Sequence, residues 1–128
     1  MEDVLAQSDF ISLHLPLSET TRHLIGAREL GKMKSTAFLI NTSRGPVIDE
    51  AALLGALQQG TIAGAGLDVY EREPEILSGL EQLSNVVLLP HLGSATLNAR
   101  LKMGMICVEN IAAVLGGQGP LNPVNRGV

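Results

Sequence analysis

Residues 37–60 read AFLINTSRGPVIDEAALLGALQQG, and the architecture follows from this stretch. Ala37, Phe38, Leu39 and Ile40 have the length and composition of a buried strand. Asn41, Thr42 and Ser43 end it with polar side chains, Gly45-Pro46 breaks the chain, and Asp49 stands where a helix needs an N-cap. A helix over residues 50–59 follows, with Leu53, Leu54 and Leu57 facing inward, and Gly60 stops it. The stretch is one strand–loop–helix unit. Arg44 is the unexpected residue in it: a permanent charge directly after a buried strand.

Working outward, the same grammar repeats. Phe10, Ile11, Leu13 and Leu15 predict a strand before Pro16; residues 63–69 (AGAGLDV) and 86–89 (VVLL) predict two more. Each is short and apolar on both faces, as parallel strands under helices are. A short helix is expected over residues 27–33, and another over residues 2–7 that starts at Met1 without a capping side chain. Strand and helix alternate, which predicts an α/β doubly wound parallel sheet. The longest helix comes last, from an N-cap at Ser94. It carries Leu97, Leu101, Met105, Val108, Ala112 and Leu115 as a single apolar stripe, expected to pack on a core, and ends at Gly116-Gly117. The tail QGPLNPVNRGV has two prolines and no periodicity, and is expected to lie extended on a surface.

Composition narrows the function classes. A chain of 128 residues, 45% hydrophobic, suits one globular domain. The net charge of -4, with charged residues scattered, supplies no basic stripe for nucleic acid and no polybasic face for a membrane. No apolar run is long enough for a signal peptide core or a membrane span, so a cytoplasmic protein with small-molecule or protein partners is expected. Cys107 is the single cysteine and reads as a buried thiol in a reducing compartment. His14 and His23 read as structural or exposed, without metal-ligand spacing. No G-x-G-x-x-G opens a helix: Gly64-Ala65-Gly66 imitates its start, but Val69 stands where the third glycine belongs and the pattern continues as a strand. No P-loop motif occurs either. The pattern reads as half of a nucleotide-binding sheet.

Ligands of open parallel sheets bind at the carboxyl ends of strands, so the polar residues there carry the functional reading. Arg44 follows the second strand, Asp68 and Glu73 end and follow the third, and His91 follows the fourth. Arginine offers a rigid fork for a carboxylate. Histidine beside a carboxylate favours the imidazolium and works as a general acid/base near neutrality. Together these groups suit an anionic substrate whose oxygen gains or loses a proton, which is the chemistry of a 2-keto acid. Each residue also has a simpler reading: Arg44 in an ion pair with Asp49, His91 as a loop histidine, Glu73 as one of the solvated charges in EREPE.

Five segments decide between these readings by resemblance. NTSRGPVIDEAAL, GAGLDVYEREP and LLPHLGSAT, in this order and spacing, with SDFISLHLPLSETTRHLI and the terminal PLNPVN, resemble the D-isomer-specific 2-hydroxyacid dehydrogenase family, most closely its glyoxylate/hydroxypyruvate reductase branch. The resemblance implies the second half of a Rossmann-like cofactor domain in residues 1–93, and in residues 94–128 a helix and tail that return to a substrate domain. It implies Arg44 as the substrate-binding arginine, His91 as the proton donor and Glu73 as the acid that supports it. Thr42, Ser43, Arg44, Asp68 and the loop His91, Gly93, Ser94 match positions at the nicotinamide end of NAD(H) or NADP(H); Leu15 and Pro16 match a contact nearer the adenosine. A small 2-keto or 2-hydroxy acid is the implied substrate and a homodimer the family's assembly. The glycine motif and the N-terminal substrate domain have no counterpart among these residues. The chain is therefore expected to be the C-terminal portion of such an enzyme, through truncation, a split gene or a shortened gene model, and inactive by itself, with an N-terminal half in trans left open as a partner. A non-catalytic interaction module that keeps the fold is the alternative.

Overall fold

The computed structural model describes residues 1–125; residues 126–128, the end of the expected surface tail, lie outside the described residues. Four parallel strands, β1 (Phe10–Leu13), β2 (Phe38–Asn41), β3 (Gly64–Leu67) and β4 (Val86–Leu88), lie side by side in chain order. Ile11 pairs with Leu39, Leu39 with Ala65 and Ala65 with Val86, so one register line crosses the sheet. Helix α1 (Glu2–Gln7) precedes the sheet, α2 (Ala27–Leu30) lies between β1 and β2, α3 (Glu50–Gln58) between β2 and β3, and α4 (Leu97–Leu115) follows β4. The chain divides into two compact units, Met1–Gly93 containing the sheet and a second one from Ser94 containing α4.

Local chemistry explains the best-defined helix. The Asp49 carboxylate accepts the Ala52 N–H at 3.0 Å, satisfying one of the free donors of the first turn of α3. At the other end Gly60 has φ +68°, and the Thr61 and Gly60 N–H groups reach back to the carbonyls of Ala56 (2.8 Å) and Leu57 (3.3 Å). This is the paired closure that a left-handed glycine allows. Leu53 and Leu57 are buried and Leu54 packs half-buried beside them. Gly64 answers a different need, since a Cβ there would lie 2.6 Å from the Asn85 carbonyl oxygen. The Gly64-Ala65-Gly66 run is thus close-packed strand, not a phosphate-binding turn.

The sheet departs from expectation on one face. Ile11, Leu13, Leu39, Ala65 and Leu67 share a core with Leu5 of α1, Leu30 of α2 and Leu53 and Leu57 of α3. The alternate positions do not: Phe10 is 71% exposed, Val87 62%, and the Phe10 and Phe38 rings stack at 5.5 Å on the open face. Apolar composition on both faces marks a strand that can be covered twice, and the helices of this unit cover it once. Helix α4 differs in a similar way. Its N-cap is Thr96, whose hydroxyl accepts the Ala99 N–H at 3.2 Å, and not Ser94. None of its residues is buried, the stripe from Leu97 to Leu115 included, and Cys107 on it is exposed where a buried thiol was expected. A helical period establishes that a face is apolar without identifying what covers it. Asn110 ties the tail to this helix, donating to the Asn122 side chain and accepting the Asn122 N–H, both at 3.0 Å. No helix of the described residues is long and apolar enough to cross a membrane.

Leu39 has no exposed surface and sits mid-sheet. Leu39→Ala is expected to lower the unfolding free energy by about 2–5 kcal/mol, read as a shifted midpoint in urea denaturation with an unchanged slope.

Candidate active site

Parallel strands in one register bring four loops to one edge, and the loops after β2, β3 and β4, which carry Arg44, Glu73 and His91, are each fastened by a buried polar side chain. After β2 that side chain is Asn41, 1% exposed. Its oxygen accepts the Ser43 N–H (3.1 Å) and hydroxyl (2.9 Å), while its amide donates to the Arg44 carbonyl (3.0 Å). The turn so fixed presents Arg44 to solvent. Its guanidinium donates to the Ser43 carbonyl at 2.7 Å and has no carboxylate within 4.0 Å among the described residues. Asp49 is occupied as the cap of α3, so the Arg44–Asp49 ion pair does not form.

After β3, Asp68 is 4% exposed and spends both oxygens on the fourth loop. It accepts the Leu92 N–H at 2.6 Å and the Gly93 N–H at 2.9 Å. His91, just before them, is thereby held in the left-handed region at φ +55°, which costs a non-glycine residue about 1–2 kcal/mol. Its Nδ1 lies 2.7 Å from one Glu73 carboxylate oxygen, and the other oxygen accepts the Tyr70 N–H at 3.2 Å. The hydrogen bond from His91 holds the Glu73 carboxyl below its ordinary value of 4.5, with the charges of His91 and Arg44 acting in the same direction. Glu73 is therefore the partner of a histidine and not one solvated charge among several. A cleft of about 340 Å³ opens beside the pair, lined by Tyr70, Glu73, Pro74, Pro90 and His91.

The remaining predicted positions spread along the same edge. Thr42 is exposed and Ser43 half-buried in the turn after β2; Leu15 and Pro16 are exposed after β1. Ser94 is exposed and begins the second unit. His14 bonds Ser12 at 2.8 Å, and His23 pairs with Glu71 at 3.2 Å. No cluster of metal-ligating side chains occurs among the described residues. Sequence reading missed Tyr70, 6% exposed, whose hydroxyl donates to the Leu89 carbonyl at 2.8 Å and braces the loop of Glu73 against that of His91. It also missed Glu50. This carboxylate, 6% exposed, is pushed up from its ordinary value by burial, against the lowering effect of the Glu71 N–H it accepts. Nothing in the sequence distinguishes either residue from ordinary core or ordinary helix surface.

Residues 1–93 match the family described as D-isomer specific 2-hydroxyacid dehydrogenase, NAD binding domain. The chain belongs to that family. It is 54% identical to glyoxylate reductase of Thermococcus litoralis over 99% of its own length and 38% of that protein's. To glyoxylate/hydroxypyruvate reductase B of Erwinia tasmaniensis it is 52% identical, covering 98% of this chain and 39% of the relative. It superposes with a TM-score of 0.89 on NADPH-dependent glyoxylate/hydroxypyruvate reductase of Sinorhizobium meliloti, solved in complex with NADP and malonate; identity is 37%, over 99% of this chain and 42% of that one. The chain thus spans about two fifths of the length of the relatives it matches.

Two measurements check this geometry. Asp68→Asn turns one of two acceptors into a donor facing a backbone N–H, and is expected to lower stability by about 2 kcal/mol and to speed amide exchange at Leu92 and Gly93. A depressed Glu73 contributes stability that is present above 4.5 and lost as pH falls through its lower folded value. Urea unfolding followed from about pH 6 to about pH 3 should therefore fall less steeply in Glu73→Gln than in the parent.

Proposed function

We propose that this chain carries the substrate-binding and proton-donating groups of a reductase that converts a small 2-keto acid, glyoxylate or hydroxypyruvate, to the D-2-hydroxy acid with NADH or NADPH. The observation behind it is the Glu73–His91 pair at 2.7 Å, formed at the same sheet edge as an arginine that has no carboxylate partner among the described residues. The names of the relatives support the choice of substrate.

Arg44 spends Nη1 on the Ser43 carbonyl and has further N–H donors for the substrate carboxylate and its keto oxygen, and binding there would fix the carbonyl's orientation. Glu73 holds His91 through Nδ1, which leaves Nε2 to give its proton to the oxygen as negative charge develops on it. Arg44 and the imidazolium together stabilise that charge, by about 3 kcal/mol for each well-placed donor. In the reverse direction His91 takes the proton from a D-2-hydroxy acid.

The residues present fit the nicotinamide end of the cofactor. Thr42, Ser43 and the segment from His91 to Gly93 offer polar groups at the carboxyl edge, and Asp68 fixes the backbone of that segment from below. Leu15 and Pro16 would lie toward the adenosine. When bound, the nicotinamide supplies the hydride. The pyrophosphate needs a glycine-rich turn at a helix N-terminus, and these 128 residues contain none. These 128 residues are accordingly proposed to be inactive alone and to need the N-terminal half of the family's fold, in an assembly that in the family is a homodimer. A second reading, a non-catalytic interaction module, draws on the fully exposed apolar stripe of α4 and predicts a defined oligomer of the chain alone in size-exclusion chromatography.

The deciding experiment follows loss of reduced-nicotinamide absorbance with glyoxylate and hydroxypyruvate, using the chain alone and the chain mixed with the N-terminal portion of the Thermococcus litoralis relative. Turnover is expected only in the mixture. There, His91→Ala should lower kcat by about 100-fold or more, and Arg44→Ala should mainly raise KM. Full activity in a mixture containing His91→Ala would overturn the reading.

A further inference from the structure

Glu50 is an acidic side chain that the proposed chemistry does not use, yet it is buried. It stands at the first residue of α3, a few residues after Arg44 and more than twenty before Glu73, and its carboxylate oxygen accepts the Glu71 N–H at 2.7 Å. The Glu71 carboxylate returns the interaction, accepting the Glu50 N–H at 2.9 Å, so the two glutamates close a ring of two hydrogen bonds between the start of α3 and the loop after β3. The His23 Nε2 lies 3.2 Å from that Glu71 oxygen, while the His23 backbone N–H donates to the Pro46 carbonyl at 2.8 Å. Beside the ring the backbone leaves no slack: a Cβ on Gly45 would lie 1.9 Å from the Tyr70 carbonyl carbon. The loop after Arg44 and the loop before Glu73 are therefore fastened to each other.

We propose that Glu50 is a positioning residue for Glu73: by holding the Glu71 N–H it fixes the turn from Tyr70 to Glu73 and so places the carboxylate that meets His91. This rests on the proposed role of the Glu73–His91 pair. Among the described residues the turn is held by the Tyr70 N–H on the Glu73 carboxylate, by the Glu75 N–H on the Arg72 carbonyl, by the Tyr70 hydroxyl on the Leu89 carbonyl and by the ring just described, which ties it to the start of α3. Releasing the ring lets Glu73 move with Tyr70 while the strands, held by their own ladders, stay in place. A glutamine at position 50 keeps an acceptor oxygen in reach of Glu71 and should preserve the placement; alanine or methionine removes the acceptor, and methionine does so with nearly the same volume.

NMR on the full 128-residue chain reads this without any activity. In Glu50→Ala and Glu50→Met the Glu71 amide is expected to exchange about tenfold faster or more, with β2 and β3 amides little changed. The Glu73 carboxyl, which faces His91 and Arg44, should titrate closer to 4.5 than in the parent. Glu50→Gln should behave as the parent in both respects. In the reconstituted mixture the alanine and methionine variants should lose kcat with little change in KM. An unaltered Glu73 titration in Glu50→Met overturns the proposal, and so does failure of both the alanine and methionine variants to fold, since Glu50 would then serve stability alone. Absence of turnover in the parent mixture, with the NMR results as expected, would instead count against the proposed reaction.

Discussion

A polar group taken out of water has to find its hydrogen bonds inside the protein, and at the carboxyl edge of this sheet that requirement fixes the loops. Among the described residues the buried polar or charged ones are Asn41, Glu50 and Asp68. Each spends its hydrogen-bonding capacity on the backbone of a loop that carries, or leads to, a functional group. Asn41 shapes the turn before Arg44, Asp68 holds the segment after His91, and Glu50 holds the segment before Glu73. No buried side-chain nitrogen or oxygen of the described residues lacks a partner. Any other conformation of these loops would strand at least one buried group, at about 1–3 kcal/mol each.

The supports are buried while the working groups are not. The side chains of Glu73 and His91 are 35% and 47% exposed, and Arg44 faces solvent. This division reconciles two needs that conflict in a single residue, rigidity and access to a ligand. It also accounts for the left-handed backbone at His91. The two hydrogen bonds to Asp68 dictate the path of residues 91–93, and the strain at His91 is the consequence of a path that turns its imidazole toward Glu73.

What could be read from the sequence is what depends on neighbours in the chain. The strands, the Asp49 cap and the Gly60 stop of α3 follow from period and local turn chemistry, and the structure has them within a residue or two. The four loop residues Arg44, Asp68, Glu73 and His91 were legible because strand ends concentrate function. What was not legible depends on partners far along the chain. Glu50 meets Glu71 and Asp68 meets Leu92 across more than twenty residues, and Tyr70 meets Leu89 at a similar distance. Arg44–Asp49 failed as an ion pair for a local reason: Asp49 had a stronger use as a helix cap. The open face with Phe10 and Phe38, the unburied stripe of α4 and the exposed Cys107 share one cause, since apolar periodicity records a face and carries no information about its cover.

The hydrogen bonds that place Arg44, Glu73 and His91 all begin and end within residues 23–93, inside the unit Met1–Gly93. None of these bonds passes through α4 or through the glycine motif that a dinucleotide site needs. The groups proposed for substrate grip and proton transfer are therefore placed by one network inside this unit, whereas a pyrophosphate site needs a glycine-rich turn that these residues do not contain. Strand order makes the same separation visible. The four strands run in sequence without the reversal at which a doubly wound sheet opens its cofactor crevice, so the described residues supply one wall of such a crevice. A network that closes on itself places Arg44, Glu73 and His91 through contacts inside Met1–Gly93 alone.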